Sequence, residues 1–176
     1  MLFPFPERSF KGVILLIFIT TFLLPAINIF FFKAFGTIQS VQMPSRRERV
    51  IPFFVITTLY SIITYMLYFK FEIGWNDAFM KWLLIVDAIV LVSFLSTLFS
   101  KVSIHSLSAG ALIAILIAIN SVVDTGLFFY PLLVSIVVAG AVMSARMYLV
   151  AHTMREVVVG AVAGFATAIL GFIIAF

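Results

Sequence analysis

Apolar residues fall into six long blocks along the chain, and most polar residues lie in the short stretches between them. The first block runs from about Lys11 to Phe32. That is roughly 22 residues, enough at 1.5 Å per residue to cross about 30 Å of hydrocarbon. The others are about Pro52–Phe69, Trp82–Ser100, Ser106–Val123, Leu132–Tyr148 and Thr153–Phe176. The pattern predicts an all-α fold, a six-transmembrane-helix bundle in a single domain over residues 1–176. Pro25 is expected to kink the first span. The connections are Lys33 to Arg49, Lys70 to Lys81, Lys101 to His105, Asp124 to Pro131, and a polar stretch around His152. Trp75 lies within the second connection and Trp82 just after it, where indole rings suit a membrane interface.

Composition agrees with this pattern. Of 176 residues, 64% are hydrophobic and only 10% charged, with a mean hydropathy of +1.27. A soluble domain carries about 25% charge, so the chain reads as an integral membrane protein. The 21 phenylalanines read as lipid-facing bulk. Arg8 and Lys11 before the first block resemble the start of a signal peptide. The apolar run is too long for that, and it is expected to stay as a span. There is no cysteine, which excludes disulfides, thiol catalysis and cysteine-ligated metals. Small residues at Gly110, Ala114 and Ala118, and at Gly160 and Gly164, recur every four positions. That spacing predicts close helix packing. Asp87 falls inside the third block, nearer its start. It suits either a functional intramembrane carboxylate or a structural hydrogen-bond partner.

The placement of charge says more than its total. With six alternating spans, the first, third and fifth connections share one side of the membrane. That side holds Lys33, Arg46, Arg47, Arg49, Lys101, Arg146 and Arg155 against Glu48 and Glu156, a balance of +5. The other holds Arg8, Lys11, Lys70 and Lys81 against Glu7, Glu72, Asp77, Asp87 and Asp124, a balance of −1. Both histidines, His105 and His152, fall on the basic side. A focused cationic face attracts anions, and the arginine fork suits phosphate in particular. Counting Lys and Arg would put that face in the cytoplasm. Residues placed for substrate binding are poor topology markers, however, and without them the remaining charges point this face outward.

Three segments carry candidate chemistry. In Arg146-x5-His152-x3-Glu156, histidine and carboxylate are four apart, so a helix starting here presents both on one face. Such residues also suit an ordinary interfacial loop. Read as chemistry, His152 is a nucleophile on phosphorus. Glu156 holds its other ring nitrogen and fixes the tautomer, and Arg146 neutralises the transferring phosphoryl group. Lys101-Val-Ser103-Ile-His105, if extended, puts Lys101, Ser103 and His105 on one face. It suits a snorkelling lysine beside an interfacial histidine. It also suits phosphate binding by Lys101 and Ser103, with His105 as general acid. Arg46-Arg47-Glu48-Arg49 suits lipid headgroups, or the third wall of an anion site.

Together these motifs resemble the type 2 phosphatidic acid phosphatase family, the membrane branch related to vanadium haloperoxidases. That family carries K-x6-R-P, then P-S-G-H, then S-R-x5-H-x3-D. The third signature is closest: Arg146, His152 and Glu156 keep its spacing, with Glu for Asp and Ala145 between Ser144 and Arg146. Val102-Ser-Ile-His105 keeps the Ser and His of the second but lacks Pro and Gly. Arg46–Arg49 followed by Pro52 stands in for R-P, with no Lys seven residues before any of these arginines. Motif order, span number and motif placement match over essentially the whole chain. The resemblance implies a haloperoxidase-like helical core and a lipid phosphatase needing no metal or other cofactor. It implies a phosphohistidine on His152, with His105 protonating the leaving group. Arg46, Arg49, Ser103 and Arg146 would cradle the phosphoryl oxygens, and Lys101 and Arg47 would partly replace the missing Lys. Ile104 in place of Gly crowds that loop.

The expected partners are a lipid phosphate and the surrounding membrane lipids, with no nucleic acid. Phosphatidic acid, phosphatidylglycerol phosphate, undecaprenyl diphosphate and lipid A phosphates are the substrate classes. The expected location is a bacterial inner membrane with the site facing the periplasm. Two other functions fit the same charges: a catalytically degenerate relative that binds anionic lipids, and a small transporter with an anion path.

Overall fold

We describe a computed structural model that covers residues 10–41, 43, 45–123 and 126–176. Asp124 and Thr125, expected in the fourth connection, lie outside it, as do Met1–Ser9 with Glu7 and Arg8. Every regular element described is helical. The helices are α1 (Phe10–Phe18), a π-helical turn (Ile19–Leu23), α2 (Leu24–Ala34), α3 (Arg46–Phe71), α4 (Ala78–Phe99), α5 (Ile104–Val122), α6 (Phe129–Tyr148) and α7 (Met154–Ala175). Six spans among the described residues are long and apolar enough to cross a membrane, the first being Ile14–Ala34. They coincide with the six apolar blocks. The chain divides into two compact units at Val90/Leu91, inside α4.

In the first unit, the expected kink at Pro25 is a change of helix type. Pro25 has no N–H to give the carbonyl four residues earlier, Thr21. The preceding turn widens, with Leu24 N–H donating to Ile19 O, as π-bulges do. The Tyr60 hydroxyl of α3 donates to the Thr21 carbonyl at 3.4 Å. α2 ends in a Schellman turn: Gly36 has φ 72°, its N–H donates to Lys33 O, and Thr37 N–H donates to Phe32 O. α3 begins at Arg46, six residues before the expected start of its span. Ser45 supplies the N-cap, accepting from Glu48 N–H, so the arginine cluster lies in a first helical turn. The end of α3 folds onto the start of α4 through Leu67, Ile73, Phe79 and Met80. Trp75 stacks on Tyr68, with ring centroids 4.3 Å apart. Because α4 starts at Ala78, Asp87 sits near the middle of its helix, deeper than the sequence block suggested.

In the second unit, α5 runs along α7 at glycine contact. A Cβ on Gly160 would lie 2.6 Å from Ser103 O, while one on Gly110 or Gly164 would strike the backbone of Ala161 or Leu107. Ala111, Ala114, Ala118 and Ala168 are buried with them. The small-residue stripes therefore let the two backbones approach closely, and dispersion over that seam takes the place of a large-residue core. The outward faces are apolar, as Val137, Leu170 and Ile174 show, which suits lipid rather than water.

Candidate functional site

The stretch from Arg146 to Glu156 is a helix end, a tight turn and a helix start. Arg146 lies in the last turn of α6, and its carbonyl accepts from Ala151 N–H at 3.1 Å and His152 N–H at 3.3 Å. With Val150 N–H donating to Met147 O at 2.9 Å, this is a Schellman closure. The residue in the left-handed position, usually glycine, is Val150, with φ 53°. A β-branched side chain is strained there. The turn thereby fixes the backbone of His152 to that of Arg146.

His152 stands just before α7 rather than in its first turn, as the sequence spacing had suggested. Thr153 is the N-cap and Glu156 the third helical residue, and together they form a capping box. Glu156 N–H donates to Thr153 Oγ1 at 3.3 Å, and Thr153 N–H donates to Glu156 Oε2 at 3.3 Å. The same Oε2 lies 2.8 Å from His152 Nδ1. One carboxylate oxygen thus serves both helix cap and imidazole. A carboxylate accepts only, so Nδ1 carries the hydrogen and the lone pair of a neutral ring lies on Nε2. The His152 side chain is only 1% exposed, against 23% for Glu156.

The junction before α5 meets this turn directly. Ser103 N–H donates to the Glu156 carbonyl at 3.2 Å. Two of the three motifs are therefore one backbone-linked assembly, seated where Gly160 lets Ser103 approach. The junction is not extended through His105, however. Ser103 is the N-cap of α5, accepting from Ser106 N–H, and the helix begins at Ile104. Ser103 is fully buried, its Oγ 2.8 Å from Ser106 Oγ, while Lys101 and His105 are exposed. The single face expected for Lys101, Ser103 and His105 does not form. Arg146 adds a feature that its spacing could not reveal: its Nε is buried with no hydrogen-bond partner.

The arginine cluster belongs to the first unit and has two characters. Arg46 and Arg47 are exposed at the start of α3. Arg49 is buried, and its Nε donates to Met43 O at 2.9 Å. That bond holds the connection from α2 against α3 at Met43, where φ is 44°. Glu48 accepts from the Ser45 hydroxyl at 2.6 Å and from Gln39 N–H at 3.2 Å. Ser45, Ser106 and Thr153 are contributions that the motif reading passed over. Two were visible as Ser45-x-x-Glu48 and Thr153-x-x-Glu156, the spacing of a helix start.

No family model, curated protein or solved structure matches this chain.

Proposed function

We propose that this integral membrane protein is a lipid phosphate phosphatase working through a phosphohistidine on His152. The observation that carries the reading is the buried His152 paired with Glu156, with Nδ1 2.8 Å from the carboxylate, on a turn fixed to the backbone of Arg146. A carboxylate at Nδ1 orients the ring and supports the positive charge that develops when Nε2 attacks. In the first step a bond forms from Nε2 to phosphorus and the bond from phosphorus to the lipid oxygen breaks. His105 supplies the proton to the leaving alkoxide. Water then attacks the phosphohistidine, giving its proton to His105 and releasing phosphate. The unpartnered N–H of Arg146 gains an acceptor when a phosphoryl oxygen arrives. Lys101, on the same unit, is an exposed cation that draws the headgroup in. Because the imidazole is nearly fully covered, phosphate entry requires the turn at Leu149–Thr153 to shift, and the strained Val150 backbone is the weak point. The site faces the periplasm of a bacterial inner membrane.

A second reading rests on the same contacts. Ser103 and Arg49 spend hydrogen bonds on caps and backbone, as expected of a relative that binds anionic lipid without turnover. The two readings separate in a phosphate-release assay in detergent with phosphatidic acid, phosphatidylglycerol phosphate, undecaprenyl diphosphate and lipid A phosphates. The phosphatase releases phosphate from at least one, and His152→Ala abolishes it. Undiminished release by His152→Ala overturns the mechanism, and no release by the wild-type protein overturns the phosphatase.

A further inference from the structure

The cations around the connection from α2 to α3 belong to the first unit and make a surface of their own. Arg46 and Arg47 are exposed, and neither guanidinium has an ion-pair partner among the described residues. The carboxylate beside them is committed elsewhere. Glu48 Oε1 accepts from the Ser45 hydroxyl at 2.6 Å, and Oε2 accepts from Gln39 N–H at 3.2 Å. Glu48 therefore closes the connection rather than pairing with Arg46 or Arg47. Arg49 is turned inward, its Nε donating to Met43 O at 2.9 Å. At the other end of the same connection, Lys33 is exposed in the last turn of α2.

These cations border apolar surface. Ile51 and Phe54 follow Arg47 by four and seven positions, on one helix face, and are 50% and 56% exposed. Helical side chains lean toward the N-terminus. Arg46 and Arg47 therefore reach away from the hydrocarbon-facing residues, toward headgroup level. On α2, Phe31 and Phe35 flank Lys33, both exposed, with stacked rings 6.0 Å apart. A soluble anion would meet the cations and leave this apolar surface bare. A phospholipid with net negative charge matches both parts, because its phosphate suits the arginine fork and its chains suit the apolar faces.

We propose that Arg46 and Arg47, with Lys33, form a docking site for the headgroup of an acidic phospholipid, whose acyl chains lie along Ile51 and Phe54. The lipid is bound and not transformed. The inward turn of Glu48 and Arg49 is what leaves the two outer arginines available to it. The site is independent of the phosphatase reading, which rests on residues of the second unit.

Native mass spectrometry of the full chain in neutral detergent tests this. The probe is an equimolar mixture of phosphatidylglycerol and phosphatidylcholine with identical chains. The wild-type protein should retain phosphatidylglycerol in preference, and the preference should weaken as salt rises. Arg46→Gln and Arg47→Gln should each lower it by about 5-fold, and the double variant should abolish it. Both side chains are exposed, so these variants should fold, which thermal unfolding checks. Lys70→Gln, at the opposite end of α3, should keep the preference. The proposal is overturned by equal binding of the two lipids, by a preference that survives the double variant, or by one that Lys70→Gln also removes. It is also overturned if an equal concentration of inorganic phosphate displaces the lipid, which would make this a site for soluble anions.

Discussion

Glu156 performs two tasks with one carboxylate oxygen, and substitution can separate them. Glutamine keeps a side-chain oxygen at the same reach. It can still accept from Thr153 N–H and His152 Nδ1, so the capping box survives, since that motif tolerates Gln as well as Glu. What is lost is the charge. Its interaction with the first turn of α7 is worth about 0.3–1 kcal/mol, so Glu156→Gln should cost no more than about 1 kcal/mol of stability. Its catalytic cost is larger, because a hydrogen bond to a charged group contributes about 1.5–3 kcal/mol. If that contribution is made mainly in the transition state, the rate falls by roughly 10- to 100-fold. Alanine removes both tasks. The lost cap costs about 0.5–2 kcal/mol, and an unsatisfied Nδ1–H on the buried ring adds about 1–3 kcal/mol. Aspartate, shorter by one methylene, cannot serve His152 and Thr153 together, so it should lose stability without losing most of the rate. Thermal unfolding in detergent and phosphate release, measured on the same preparations, check both axes. A Gln variant with full activity would mean that Glu156 is a helix cap and nothing more. A Gln variant as unstable as Ala would refute the capping argument.

Three further outcomes follow from single contacts. Val150→Gly relieves a left-handed valine in the turn before His152 and should stabilise the protein by about 1 kcal/mol; a loss of stability would show that the turn is not strained. Gly164→Val drives a side chain into the Leu107 backbone and should cost about 1–3 kcal/mol or more. It should also lower activity by parting Ser103 from Glu156, and wild-type stability would contradict the close α5–α7 seam. Arg49→Ala strands the Met43 carbonyl and should destabilise by about 1–3 kcal/mol, whereas Arg46→Ala and Arg47→Ala should change stability by less than about 0.5 kcal/mol. Equal stability across all three variants would refute the division of the cluster.

The six spans were readable because a helix in lipid must be apolar along its whole length. The pairing of His152 with Glu156 was readable from its spacing alone, although the histidine proved to precede the helix it pairs with. Helix starts were the weak point. Arg46, Arg47 and Arg49 look like a loop when charge is the only cue, yet Ser45 and Glu48 already spelled an N-terminus. The same holds for Thr153 and Glu156, where a functional reading of Glu156 drew attention from the cap. Ser103 and His105 suit one extended face by their spacing, but Ser103 caps α5 and the helix turns them apart. The orphaned Nε of Arg146, the link from Ser103 to Glu156 and the bond from Tyr60 to Thr21 depend on how helices pack in space. No spacing along the chain encodes them.

The central claim is a covalent bond between His152 and phosphorus. Rapid quenching of the wild-type protein with a lipid carrying radiolabelled terminal phosphate, under denaturing conditions that preserve phosphoramidates, should trap label on the chain. The label should be acid-labile and alkali-stable, as phosphohistidine is, and peptide mapping should place it on His152. His152→Ala should carry none, and Glu156→Gln should acquire it slowly. Phosphate release by the wild-type protein with no trapped label, or label retained in His152→Ala, would contradict the account.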